Sequence, residues 1–170
     1  RRAVSVASKA HESWRLTPVV KRAEILRRAT LLLAERKEEL AEFLVLESGR
    51  PRRDALQESE GAAEHGFFYA GEGKRFYGET IPSKHPNREL KILRQSAGVG
   101  ALIVPFNSPA TAIAAKVFPA LLCGNSAVLK SHEDAPYLAV WFAKILKLAG
   151  LPAGVLSVVQ GLGREVGAPL

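Results

Sequence analysis

The stretch "VPFNSPATAIAAKVFPALLCGNSAVLK", Val104 to Lys130, decides how this chain folds. An apolar run ends at Pro105, an amide follows at Asn107, and Pro109 opens a helix-compatible segment that Gly124 stops. A second apolar run then closes at Lys130. Pro at the first helical position and Gly just past the last are the usual punctuation of a helix. Working outward, "GVGALIV" (98–104), "SAVLK" (126–130) and "GVLSVVQ" (154–160) read as three short apolar strands. Two helices separate them. One starts near Ser108-Pro109 and the other spans from Asp134-Ala135-Pro136 to Gly150. Continuous apolar strands alternating with helices specify a parallel sheet with right-handed crossovers. The C-terminal part is therefore expected to be a βαβαβ half of a doubly wound fold.

The upstream part reads differently. "TPVVKRAEILRRATLLLAERKEELAEFLVLESG" predicts one helical stretch, with Thr17 as N-cap, Pro18 at the first helical position and Gly49 as the stop. Ile25, Ala29, Leu32 and Leu33 share a face at helical spacing, and Leu40, Phe43 and Leu44 repeat it. "RRDALQESEGAAEHGFFYAGEGKRF" predicts a second long helix. Its glycines, Gly61, Gly66, Gly71 and Gly73, weaken a helix unless another element packs close against it. Pro82 and Pro86 forbid a helix in "GETIPSKHPNRELKILRQS", where the alternation in "ELKILRQ" predicts a β-hairpin arm.

Composition excludes several classes of protein. At 170 residues the chain is expected to be one domain with a real core, and its hydrophobic content of 47% rules out disorder. No apolar run approaches the roughly 18 residues of a membrane span, and the start carries no signal-peptide pattern. The single cysteine, Cys123, fits a reducing, cytoplasmic compartment. Net charge is +7, but residues 1–96 carry 19 basic and 14 acidic side chains interspersed, so no nucleic-acid partner is expected. The one basic cluster, Gly49 to Arg53, reads as solvated surface. No Met occurs, and the chain stops at Pro169-Leu170 as a new element begins, so a longer native protein is expected.

In doubly wound folds, ligands bind outside the C-terminal ends of the strands. Three groups stand there: Asn107, the pair Lys130 and Glu133, and the turn Gly161 to Gly163. Asn107 is either a cap for the following helix or a side-chain donor to a developing oxyanion. Lys130 and Glu133 are either an exposed ion pair of little consequence or contacts for ribose hydroxyls. "GLGREVG" is one residue longer than the dinucleotide fingerprint and weak evidence alone. His132 reads as a rim residue and Cys123 as a buried structural thiol. No metal set is evident.

Taken together, "GVGALIVPFNSPATAIAAKVFPALLCGNSAVLK", "AGLPAGVLSVVQGLGREVG", "RAEILRRATLLLAERKEELAEFLVLESGRP" and "YAGEGKRFYGETIPS" resemble the NAD(P)-dependent aldehyde dehydrogenase superfamily over nearly the whole chain. The resemblance implies that Asn107 helps form the oxyanion hole. It implies that Ile103, Val104, Pro105 and Phe106 line the cofactor cleft, with Phe106 in place of the commoner Trp. Lys130 and Glu133 match contacts to the adenosine ribose, and Gly163 an adenosine-side contact. Glu133 would repel a 2′-phosphate, which favours NAD over NADP. Ser131 and His132 depart from the family's usual small residue or Pro.

The implied organisation is a helical part (1–78), an oligomerisation hairpin (79–96) and a Rossmann-like segment (97–170), within a homodimer or homotetramer acting on a small aldehyde. The implied activity is oxidation to a carboxylic acid through a cysteine thioester. Neither the nucleophile's G-Q-x-C context nor the general base's E-L-G-G context occurs in these residues. The 170 residues alone are therefore expected to be inactive, with an open apolar edge near Val155 to Val159. A silent relative acting in nucleotide binding or subunit assembly is the alternative.

Overall fold

A computed structural model describes residues 1–170. Four helices come first: α1 (Arg2–Trp14), α2 (Val19–Glu35), α3 (Lys37–Ser48) and α4 (Arg52–Glu72). Strands β1 (Glu79–Pro82) and β2 (Glu89–Ile92) form an antiparallel hairpin whose residues are all exposed. Then come β3 (Val99–Ile103), α5 (Pro109–Leu122), β4 (Ser126–Lys130), α6 (Pro136–Leu148), β5 (Leu156–Val159) and a short π-helical turn, Gly163–Gly167. The parallel sheet has the order β3-β4-β5. This is the mixed α/β architecture, with an N-terminal helical part, that the sequence specifies.

Right-handed crossovers along β3-β4-β5 put α5 and α6 on one face of the sheet. Helix α1 packs against all three strands and covers the other face. The outer layer, α2 to α4, packs on α5 and α6, so the core runs from Leu26, Leu33 and Leu44 through Phe118 and Phe142 to Leu129. Central β4 is buried at every position, as a two-sided strand must be. The more exposed edge is β3, where Val99 and Ile103 are 37% and 47% exposed, whereas β5 is half-buried throughout.

Two expectations about the first helices are corrected. The chain does not run as one helix from Thr17 to Gly49: it turns at Arg36 (φ −104°, ψ 25°), which frees α3 to pack along α4 and α6. Thr17 does not cap α2 either. Pro18 is the N-cap residue, and Thr17 Oγ1 donates back to Ser13 O at 3.2 Å. Gly49 ends α3 in the left-handed conformation (φ 67°), as expected.

The last carbonyls of α5 accept from the turn that follows, Cys123 N to Pro119 O, Asn125 N to Ala120 O and Gly124 N to Leu121 O, and long-range side chains add to these. Trp14 Nε1 donates to Leu121 O at 3.1 Å, and buried Arg22 donates through Nε to Leu122 O at 2.9 Å. Asn125 Oδ1 accepts from Ala97 N (2.6 Å) and Gly98 N (3.1 Å), which fixes the entry to β3 beside β4. These bonds hold the N-terminal edge of the sheet rigid, and the opposite edge carries the candidate site.

Candidate active site

The register of the sheet builds the rim. Ile103 pairs with Lys130, and Lys130 with Val159, so three strand ends stop level with one another. Val104 N extends the ladder to Lys130 O at 3.1 Å, and the chain then leaves the sheet at exposed Pro105. The segments 104–108, 131–135 and 160–163 therefore open on one rim. The turn Gly163–Gly167 folds back towards the first strand. A Cβ added at Gly167 would lie 3.8 Å from Ile103 Cδ1. Of the four residues expected to line a cofactor cleft, Val104 is buried, whereas Ile103, Pro105 and Phe106 are exposed. Phe106 sits 5.0 Å from the His132 ring, tilted by 51°.

Lys130 and Glu133 are not an ordinary surface pair. Lys130 ends a strand buried at every position and is only 3% exposed, while its Nζ reaches Glu133 Oε2 at 2.8 Å. That hydrogen bond holds the Glu133 carboxyl below its usual value. A depressed carboxyl stabilises the fold above its ordinary value, and that contribution disappears as the pH falls through the lowered one. Next to this pair, the Ser131 hydroxyl is buried without a partner. His132 Nδ1 accepts from Asp134 N at 3.2 Å, which makes it part of the loop rather than of a catalytic pair. No three His, Cys, Asp or Glu side chains come together in a metal-binding arrangement.

Asn107 is not the helix cap. The N-cap residue of α5 is Ser108, and it makes no side-chain cap bond. A carboxylate from α4 does the capping: Glu58 Oε1 accepts from Ala110 N at 2.8 Å and Thr111 N at 3.3 Å. Glu58 is in turn ion-paired with Arg50, whose Nη2 donates to the Asn107 carbonyl at 2.7 Å. Asn107 is thus held by its backbone, and its side chain is exposed at the mouth of the turn. Arg50 belongs to the cluster read as solvated surface, and the structure corrects that reading. Its side chain is only 17% exposed, whereas Arg52 stays on the surface beside Glu38 at 2.5 Å.

Helix α6 is capped in the same way. Glu47, at the end of α3, accepts from Tyr137 N at 2.6 Å and Leu138 N at 3.1 Å. Helix N-termini at this rim are the usual phosphate sites of doubly wound folds, and here both already hold carboxylates. A dinucleotide's phosphates therefore have no place on α5 or α6. What remains fits a ribose: an ammonium and a carboxylate side by side, next to a glycine turn. Gly161 has φ +139° and needs to be glycine, whereas a Cβ on Gly163 would meet nothing within 4 Å, which leaves open space beside it.

Cys123 lies at the far edge of the sheet. It lines a cavity of about 300 Å³ together with His11, Arg15, Arg22, Arg94 and Ser96. It is half-buried rather than buried. Two basic neighbours absent from its local sequence approach it, yet burial outweighs Arg22 and Arg94 and pushes the thiol up. A protonated thiol on the edge opposite Asn107 is no nucleophile for the rim.

The family model that matches this chain, over residues 1–170, is that of the aldehyde dehydrogenase family. The chain belongs to the aldehyde dehydrogenase family. It is 41% identical over its full length to glutarate-semialdehyde dehydrogenase of Pseudomonas putida and 39% identical to the NADP(+) succinate-semialdehyde dehydrogenase GabD of Escherichia coli. In both cases it spans 35% of the relative's length. Among solved structures, an NAD-dependent benzaldehyde dehydrogenase from Corynebacterium glutamicum matches 97% of the chain with a TM-score of 0.91 at 38% identity, and the match covers 36% of that structure. The aldehyde dehydrogenase fold of such neighbours contains the helices, the antiparallel pair and the three-stranded sheet seen here.

Proposed function

We propose that the protein containing this chain oxidises a small aldehyde to a carboxylic acid, passing the hydride to NAD(P), and that this rim forms part of its active site. The observation that carries the proposal is the free Asn107 side chain. It stands exposed beyond the end of a strand, while Glu58 does the capping that the local sequence offers to Asn107. Family membership and the semialdehyde dehydrogenases among the relatives support the reading.

In this reading the Asn107 NH₂ donates to the oxygen that becomes negative when a thiolate, supplied from outside these residues, adds to the aldehyde carbon. A donor fixed before reaction stabilises that charge without reorganising. Lys130 and Glu133 hold the adenosine ribose hydroxyls, the ammonium donating and the carboxylate accepting. Ile103, Pro105 and Phe106 wall the cleft with Val104 packed behind them, and Gly163 leaves room beside the ribose. NAD(P), when bound, supplies the hydride acceptor. The assembly is proposed to be a homo-oligomer joined in part through the 79–96 hairpin. The test is a spectrophotometric assay of reduced cofactor with the full-length protein and a panel of aldehydes, semialdehydes included. Absence of turnover with the whole panel would refute the proposal.

Glu133 supports an expectation about cofactor choice. Two like charges about 4 Å apart repel by about 1 kcal/mol in water and about 4 kcal/mol at a partly shielded surface. Glu133→Gln removes that repulsion towards a 2′-phosphate. The ratio of dissociation constants for NADP and NAD is expected to shift about tenfold towards NADP. An unchanged ratio, measured by fluorescence titration, would place the ribose elsewhere.

A further inference from the structure

One guanidinium joins the three elements that surround Asn107. Arg50 follows the left-handed Gly49 at the end of α3, and its Nε donates to Ser48 Oγ at 2.7 Å. Ser48 Oγ itself donates to Leu44 O at 2.5 Å, which anchors the arginine to the last turn of α3. From there Arg50 pairs with Glu58 on α4 and donates through Nη2 to Asn107 O at 2.7 Å. The side chains of Arg50 and Glu58 are 17% and 7% exposed, so the ion pair is largely shielded from water, while the bond to Asn107 O lies at the exposed mouth of the turn. Glu58 grips the amides of Ala110 and Thr111, in the first turn of α5, while Arg50 grips Asn107 by its carbonyl.

We propose that Arg50 and Glu58 are a positioning pair that fixes the Asn107 backbone and so aims its side-chain amide at the reacting oxygen. The inference rests on the reading of Asn107 as an oxyanion donor. A cap alone would need only Glu58; the second grip, from Arg50 on the Asn107 carbonyl, adds nothing to capping and holds the one residue whose side chain is free. An oxyanion donor works only if its orientation is set before the charge develops, and a displacement of about 1 Å can cost roughly 100-fold in rate.

The test uses the full-length protein and a double-mutant cycle between Arg50 and Asn107. Arg50→Gln is expected to lower kcat about tenfold, short of the roughly 100-fold cost of a full 1 Å displacement. The dissociation constant for NAD should stay within about twofold. Arg50→Lys keeps a charge for Glu58 but lacks the planar fork that reaches two acceptors. It is expected to recover part of the loss, and it serves in the cycle if Arg50→Gln does not fold. In an Asn107→Ala background either Arg50 substitution should lower kcat no further, because nothing is left to aim. Equal losses in both backgrounds would overturn the positioning role while leaving the oxyanion reading intact. No loss from Arg50→Gln alone would do the same. If Asn107→Ala by itself leaves kcat unchanged, the oxyanion reading fails and the positioning role falls with it.

Discussion

If Asn107 is the oxyanion donor proposed above, Asn107→Ala in the full-length protein is expected to lower the acylation rate by roughly 100- to 1000-fold, the cost of removing one such donor. The physical basis is that the amide is exposed and takes no part in capping α5. Glu58 has taken the helix-capping role, so deleting the Asn107 side chain breaks no bond that holds α5. The Asn107 carbonyl keeps its bond from Arg50 in the alanine variant, since that contact is to the backbone. Stability and NAD affinity should therefore barely change, and the loss should fall on the chemical step. Single-turnover kinetics with saturating aldehyde would show it as a slower burst. Near-normal turnover with weakened NAD binding would instead assign Asn107 to the cofactor. A fall in unfolding temperature as large as a lost cap would give would show that the side chain does structural work.

The parallel sheet was legible because burial on both faces leaves a mark in the chain: β4 is apolar from Ala127 to Leu129 and buried at every position. Helix ends marked by Gly49, Pro109 and Pro136 were legible because those residues have strong backbone preferences. What was illegible is tertiary. Glu58 and Glu47 cap helices whose first amides lie 52 and 90 residues further along the chain, and no local pattern announces a cap from that distance. For the same reason Arg50, in sequence one basic residue among several, proved to be the link between α3, α4 and the Asn107 turn. The break at Arg36 carries no Gly or Pro, so a single helix was the natural reading; packing of α3 on α4 and α6 overrode it. At the candidate site, the sequence indicated which residues reach the rim. It did not indicate that Asn107 had been relieved of capping, or that Lys130 would be buried.

The glycines of α4 give the second large expected effect, and they separate helix propensity from packing. Gly66 lies where α4 crosses α2 and α5. A Cβ added there would lie 2.3 Å from Thr30 Oγ1, 2.9 Å from Thr30 Cγ2 and 3.1 Å from Phe118 Cζ. Thr30 is fully buried, and its hydroxyl is held by Leu26 O at 2.9 Å, so it cannot swing aside cheaply. Alanine is about 1 kcal/mol better than glycine inside a helix, whereas forcing a methyl into a packed core costs about 1–3 kcal/mol. With two contacts too short for carbon and a pinned neighbour, the upper end applies, and Gly66→Ala is expected to destabilise by about 2 kcal/mol, about 30-fold in the folding constant. Gly61, five residues earlier on the same helix, reverses the sign. There the added methyl would meet only Thr111 Oγ1, at an ordinary 3.8 Å. Gly61→Ala is therefore expected to stabilise by up to about 1 kcal/mol through propensity alone. Thr30→Ala removes both short contacts and should relieve most of the Gly66→Ala penalty, a coupling that a double-mutant cycle measures directly. Urea unfolding of the full-length protein, followed at the α4 layer by hydrogen exchange, separates the cases. Equal effects at Gly61 and Gly66 would mean that α2 and α4 do not approach as closely as the structure has them.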